Sequence, residues 1–314
     1  SVDEIASALN MSLDKTETEV DSLLDKAVLA RAGYNEKGLD VVSAMFVLPN
    51  IRSFFLPNEG MGWLEADLDR ADLQVVVWEA DDEILKDILR SGIDIHKANS
   101  EMMGLKGDST HSPRDLAKKG VHAVDYKVGA RTLASHLKIP VREAEDFINR
   151  WFGIHPKILA LHRRTEARLR EKRLENRYVE SAFGFRRYYF DRPDQALTKA
   201  LAWVPQHTVA IVINRGIRNL YHSSLPLDLL LQVHDSASMQ VPQNLVHIEE
   251  RPNPKPPPPS LFYETSGLFH SILQKLLITI PYPDPLVIPL SLAYSPTDWG
   301  SLQPVIAEPR AQAG

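Results

Sequence analysis

The sequence predicts a mixed α+β chain, with strands toward both ends and helices in the middle. Two strand-like stretches, GWLEADL near residue 65 and LLLQVHDSASMQV near residue 235, bracket a central region with helical 3,4 spacing. A third observation is the composition: 314 residues, 44% hydrophobic and 25% charged, which is ordinary for a globular chain and excludes wholesale disorder or a fibrous repeat. That length leads one to expect about two domains. Cysteine is absent, which rules out disulfides, thiolate zinc sites and cysteine nucleophiles together.

Taken in order, residues 1–30 are acidic and roughly helical in period, without a clear core stripe. The segment FVLPNIRSFFLPNEGMGWLEADL predicts a strand, a turn at Pro57-Asn58-Glu59-Gly60, and a second strand. Residues 79–95 have the spacing of an amphipathic helix. Ser112 and Pro113 form an N-cap with proline at the first helical position, opening a helix to about residue 127. Residues 141–180 predict a long basic helical region broken near Gly153 and Pro156, and residues 197–221 another helix. LLLQVHDSASMQV reads as a strand–turn–strand hairpin, and the proline-rich run at 251–259 as a stiff extended spacer. No internal repeat, secretory signal or apolar run of membrane-spanning length is present in the sequence, so a chain without a membrane is expected. The compartment is left open.

The net charge of −5 conceals an asymmetry. Residues 1–101 carry a net of −12, residues 102–187 a net of +9, and residues 188–314 a net of −2. A basic middle in an acidic chain suits a polyanion, although a solvated helix face gives the same pattern.

Three constellations could carry chemistry. An apolar strand delivers Asp67 at its end, with Asp69 and Asp72 close behind, which suits a hard cation that wants oxygen ligands on a rigid element. Such a turn can equally be merely solvated. His234-Asp235-Ser236 interrupts an apolar hairpin, either as an ordinary turn or as a second carboxylate brought against Asp67. Two such aspartates can hold two Mg²⁺ ions about 4 Å apart, the arrangement for in-line phosphoryl transfer. Arg114, Lys118, His122 and Tyr126 recur every four residues and so share one helix face. That stripe is a basic solvent face or a triphosphate-binding face, where cations neutralise phosphate oxygens and rings stack near a base.

In this order the strand–Asp pattern, the R-x-x-x-K-x-x-x-H-x-x-x-Y helix and the V-H-D hairpin resemble motifs A, B and C of the family A DNA polymerases, with a closer likeness to the bacteriophage branch. Supporting matches are Asp94-Ile95-His96, Phe183-Gly-Phe-Arg-Arg187, Pro205-Gln206-His-Thr208 and the closing IPYPDPLVIPLSLAYSPTDWG. The likeness runs from about Leu48 to Gly300.

The resemblance implies an antiparallel palm sheet with a mainly helical fingers subdomain, and with thumb and exonuclease largely absent. It places a partial thumb remnant or linker at 1–47, palm at 48–79, fingers and basic helices at 80–180, and palm again at 181–250. A proline-rich insertion at 251–260 and a C-terminal palm helix and tail at 261–314 complete the division. It implies a template-directed polymerase core that adds deoxynucleotides to a primer 3′-OH, with two Mg²⁺ ions as cofactors. Asp67, Asp235 and the Leu68 carbonyl would hold the metals. Arg114 and Lys118 would grip the triphosphate, Lys118 also as a proton donor, and His96 would add a phosphate contact. Tyr126 would sit beside the nascent base pair, His122 near the sugar, and Asp72 where a carboxylate excludes the ribose 2′-OH. Gln206 and His234 would contact the primer–template terminus, and Arg163 and Arg164, within a basic helix over 163–177, the DNA phosphates.

This chain departs from the pattern at Lys127, where a glycine normally follows the tyrosine, at Ser236, where bacterial members carry an acid, and at Lys199, near an expected arginine. The implied partners are primer–template DNA, deoxynucleoside triphosphates and a separate chain supplying thumb or exonuclease. A degenerate polymerase-like DNA-binding protein is the alternative, and a two-metal nuclease a third, which gives the Arg114–Tyr126 stripe no use.

Overall fold

The structure is a computed structural model that describes residues 50–107, 112–251, 260–263 and 267–307. The acidic stretch over 1–30, the beginning of the expected first strand and the spacer at 252–259 lie outside the described residues. The chain divides into two compact units, residues 1–56 with 298–301 and residues 57–297 with 302–314.

In the smaller unit, Ile51–Phe54 is a 3₁₀ helix rather than the expected strand. Asn50 causes this: its side chain accepts from the Arg52 N–H at 3.2 Å and its carbonyl from Ser53 Oγ at 2.7 Å, local bonds that compete with a strand ladder. The Phe55 carbonyl accepts from the Trp299 N–H at 3.0 Å, and the Arg52 guanidinium lies 4.5 Å over the Trp299 ring.

The larger unit begins at the expected turn, where Met61 N–H donates to Asn58 O at 2.9 Å and Gly60 takes φ +76°. The strand β1 (Met61–Leu68) follows. It stands third in a seven-stranded sheet with β4 (Asp228–Val233), β5 (Ser236–Pro242), β6 (Ile248–Arg251), β7 (Ser260–Tyr263), β10 (Leu290–Ser295) and β11 (Gln303–Ala307), in the order β4-β5-β1-β10-β11-β7-β6. The first five strands are antiparallel, and only the β11–β7 junction is parallel among the described pairs. Two further hairpins are β2 (Tyr178–Glu180) with β3 (Arg186–Tyr188) and β8 (Thr279–Ile280) with β9 (Leu286–Val287).

The helices differ from expectation at several places, and those at Ile95–Met102 and Ala130–Leu137 were not expected from the sequence. The segment expected as one helix over 79–95 is divided between α1 (Ala71–Ala80) and α2 (Glu83–Arg90). Asp81 turns left-handed at φ +58°, and the Asp82 carboxylate caps α2 through the Leu85 N–H at 3.1 Å. Next come α3 (Ile95–Met102) and α4 (Pro113–Asp125), the latter with the expected Ser112 cap accepting from Asp115 N–H at 3.2 Å. The elements α5 (Ala130–Leu137), α6 (Val141–Ile154) and α7 (Pro156–Leu169) complete the middle. The break falls at His155, as Pro156 requires, but Gly153 stays helical and the region ends at Leu169 rather than 180. The basic helix expected over 163–177 is therefore cut short, because RLREKRLENR supplies only exposed Leu174 beyond Leu169 and nothing to bury.

The 29-residue α8 (Pro193–Tyr221) contains the helix expected over 197–221. Among the described residues it is the one helix long and apolar enough to cross a membrane by length and composition, but 50% of its most apolar window is buried inside the protein. It packs on α1, α7 and α9 (Leu268–Leu276). One hydrophobic core runs from Leu64, Ala66 and Leu68 of β1 through Val75 and Val77 of α1 to Ile213 of α8 and Ile272 of α9.

The α4–α6 contact depends on a glycine. Atoms of the Phe147 ring lie 2.3–2.8 Å from where a Cβ on Gly120 would stand, and Phe147 is itself buried. Gly120→Ala should therefore destabilise the chain by about 1–3 kcal/mol in urea unfolding, the usual cost of overpacking a tight core.

Candidate active site

Strand alternation puts Leu64, Ala66 and Leu68 on the core face of β1 and Glu65 and Asp67 on the other. Antiparallel register sets Asp67 opposite Ser236, the first residue of β5, so Asp235 in the hairpin turn is its diagonal neighbour. The Leu68 N–H donates to the Asp235 carbonyl at 3.2 Å, tying the two segments where both aspartates stand. The sequence separates these residues widely; the sheet joins them. His234, the other turn residue, is exposed and left-handed at φ +55°, a conformation that costs a non-glycine residue free energy and clusters at functional sites.

Electrostatics reflect the juxtaposition. Partial burial, then the charges of Asp235, Glu65 and Asp69, push the Asp67 carboxyl up to about 6. Asp69 is held by Arg70, whose Nε donates to both its oxygens at 3.0 Å.

Above this corner lies a cleft of about 390 Å³, lined among others by Asp72, His96, Lys118, His122, Tyr126 and Asp235. All six were expected as site residues from the sequence, and the fold delivers them to one space. The Tyr126 hydroxyl donates to Asp72 at 3.2 Å across the cleft, and its ring meets His122 edge-on at 5.0 Å. Burial raises the Asp72 carboxyl, against the Tyr126 hydrogen bond and the charge of His122, and it raises the Tyr126 phenol as well. Burial holds His96 below the ordinary histidine range, against the charge of Asp94. Arg114 does not line the cleft; its Nε donates to Asp94 at 2.6 Å, and Asp94 also caps α3 through the His96 and Lys97 N–H groups. That ion pair lowers the Asp94 carboxyl and fixes α3 to α4.

The other predicted residues lie elsewhere. Gln206 is exposed on α8, and Arg163 is exposed on α7. Arg164 donates to the Glu79 carbonyl and lines a second cleft, of about 250 Å³, with Arg168 and Tyr178. Lys127 takes φ +63°, which explains why a glycine is usual there: the turn is left-handed, and a Cβ strains it. The sequence reading missed Arg70, left-handed at φ +50°, and the buried Asp125 at the end of α4. The signal for Asp125 was a carboxylate inside the apolar run HAVDYKV.

The donor set fits a hard divalent cation. Among the described residues no group of three or more His, Cys, Asp or Glu could hold a metal, and the carboxylates that meet at this corner are those of Asp67 and Asp235. Mg²⁺ suits such a site, because it keeps much of its shell for waters and substrate phosphates. A cation there would also relieve the repulsion recorded in the raised Asp67 carboxyl.

The fold is that of a polymerase domain. The POL domain of Pol1 from M. smegmatis, solved in complex with DNA primer-template and dNTP, matches with a TM-score of 0.63 at 19% identity, over 80% of this chain and 42% of that one. The model of DNA polymerase family A matches residues 43–251, and the chain belongs to that family. Curated relatives include the thermostable DNA polymerase I of Thermus filiformis, 35% identical over 205 residues, and DNA polymerase I of Pseudomonas aeruginosa, 28% identical over 209. Each covers 62% of this chain, while the chain spans only 24% and 22% of their lengths. These relatives are bacterial, whereas the motifs led to the expectation of a closer likeness to the bacteriophage branch.

Asp67 gives a pH test. A raised carboxyl means the folded chain binds that proton more tightly than the unfolded one. Its stabilising contribution is present below about pH 4 and is lost as pH rises through about 6. Asp67→Asn should therefore raise stability at pH 8 in metal-free buffer by about 1 kcal/mol, discounted for solvent screening, and by little at pH 4.

Proposed function

We propose that the chain is the core of a template-directed DNA polymerase, adding deoxynucleotides to a primer 3′-OH. The observation that carries this reading is the convergence of Asp235, diagonal to Asp67 in the sheet, with Lys118, His122 and Tyr126 on one cleft. Binding of nucleic acid alone gives no use for paired carboxylates beside phosphate-binding cations.

Asp67, Asp235 and the Leu68 carbonyl would hold two Mg²⁺ ions, and the chemistry supplied there would be a lowered pKa of the attacking hydroxyl and neutralised charge on the leaving pyrophosphate. The protein's own residues do the rest. Lys118 presents its ammonium to the triphosphate and is placed to give a proton to the departing pyrophosphate. Arg114, oriented by Asp94, grips the phosphates from one helical turn before it, and His96 contributes a further contact. His122 borders the sugar, and Tyr126 forms a wall for the base pair. Asp72 closes the space where a ribose 2′-OH would stand, and its bond to Tyr126 makes that barrier rigid. Gln206 and His234 face the primer–template terminus, and Arg163 and Arg164 lie on the face of α7 offered to DNA phosphates. The palm is the sheet with α1, α8 and α9, and the fingers are α2 to α7.

The second reading, a degenerate polymerase-like DNA-binding protein, predicts primer–template binding without synthesis. Primer extension with Mg²⁺ and four deoxynucleotides separates the two. The polymerase reading expects extension by the wild-type chain, reduced at least about a hundredfold in Asp235→Ala, since even groups behind metal ligands cost 10–100-fold. Binding without extension would establish the second reading.

A further inference from the structure

At the back of the cleft, which Asp125 itself helps to line, the end of α4 is held by side chains that the proposed reaction does not use. Asp125 is 4% exposed, and its Oδ1 accepts from Trp151 Nε1 of α6 at 3.1 Å. Its main-chain carbonyl accepts from His162 Nε2 of α7 at 2.8 Å. Burial lowers His162 to about 4, so the ring is neutral and Nε2 carries the hydrogen. Trp151 is fully buried and lies 4.3 Å from the ring of His155, whose Nδ1 meets the Asp82 carboxylate at 3.2 Å.

One residue further, Tyr126 reaches the opposite way to Asp72 of α1. Two successive residues of one turn are thus fixed by three different elements. Lys127, left-handed, follows them, so the backbone alone does not favour this turn. A buried carboxyl is also a costly way to fill a core, where an apolar side chain of similar volume would pack more cheaply.

We infer that Asp125, Trp151 and His162 form a clamp that sets the position of Tyr126 in the cleft, and so act as positioning residues for the incoming deoxynucleotide. The nucleotide part of this inference rests on the polymerase reading; the clamp itself does not. Burial raises the Asp125 carboxyl to about 8, so it holds its proton at neutral pH, and asparagine is its near-isostere while leucine is not.

The test uses the full chain and the variants Trp151→Phe, Asp125→Leu, Asp125→Asn and the apolar double variant D125L/W151F. Hydrogen–deuterium exchange over residues 121–129 should quicken about tenfold in Trp151→Phe and Asp125→Leu, the effect of one buried donor or acceptor left unpaired. In Asp125→Asn it should change less than about twofold, because the acceptor is kept. In primer extension the first two variants should raise the deoxynucleotide KM about tenfold with kcat within about twofold, and the double variant should be no worse than either single one. Unchanged exchange and KM, with only a fall in Tm, would overturn the clamp as a positioning device. Additive effects in the double variant would overturn it as well. If the wild-type chain extends no primer, the polymerase reading fails, and the exchange experiment decides the clamp by itself.

Discussion

Everything at the candidate active-site corner depends on the pairing of β1 with β5. Because side chains alternate along a strand, a slip of one residue would turn Asp67 into the core and bring Leu68 out. The apolar face prevents that slip. Leu64 opposite Met239 and Ala66 opposite Ala237 are fully buried, and the other face pairs Glu65 with Ser238, whose hydroxyl donates to the Glu65 carboxylate at 3.0 Å. Hydrophobic burial thus fixes the register, and the register fixes where two like charges meet. No local attraction between the aspartates is needed, and none exists.

The same corner concentrates features that disfavour folding: a raised carboxyl, an acidic turn, and left-handed Arg70 and His234. Such strain persists only where the surroundings over-determine it. Here the surroundings are a central sheet strand and helices anchored in a continuous core. The helices α3 and α4 are cross-tied by the Asp94–Arg114 pair, which is about half exposed and so contributes more to orientation than to stability. The chain places a rigid acidic floor under a basic, aromatic-lined wall, an arrangement suited to a polyanionic substrate bridged to carboxylates by cations.

Much of this was legible in the sequence, and what was not has physical causes. The hairpin at 234–235 and the α4 stripe were readable because turn residues, an N-cap with proline and a four-residue repeat of polar side chains are local signals. The division at Asp81 was not, since Asp-Asp is as compatible with a helix surface as with a cap, and tertiary packing chose between them. The strand expected before Pro57 gave way to a 3₁₀ turn at Ile51–Phe54 because Asn50 bonds to its own backbone. The helix expected to continue past Leu169 stopped because its charges had no core to face. Within the site, the residues of the cleft were readable by type, but the Tyr126–Asp72 bond and the Asp125–Trp151 bond join residues 54 and 26 positions apart, and no periodicity reports them. The joining of Asp67 to Asp235 came from family resemblance, and the sheet register supplies its physical basis.

The most direct test of the shared cation site is cleavage of the chain by Fe²⁺ and ascorbate, with iron substituting for Mg²⁺. Hydroxyl radicals formed at one bound ion cut the nearest backbone on every strand around it. The account predicts two cuts, one beside residue 67 and one beside residue 235, both suppressed by excess Mg²⁺ and both lost in Asp67→Asn. Cleavage at one segment alone, or two cuts that respond independently to Asp67→Asn, would contradict a cation held jointly by β1 and the β4–β5 turn.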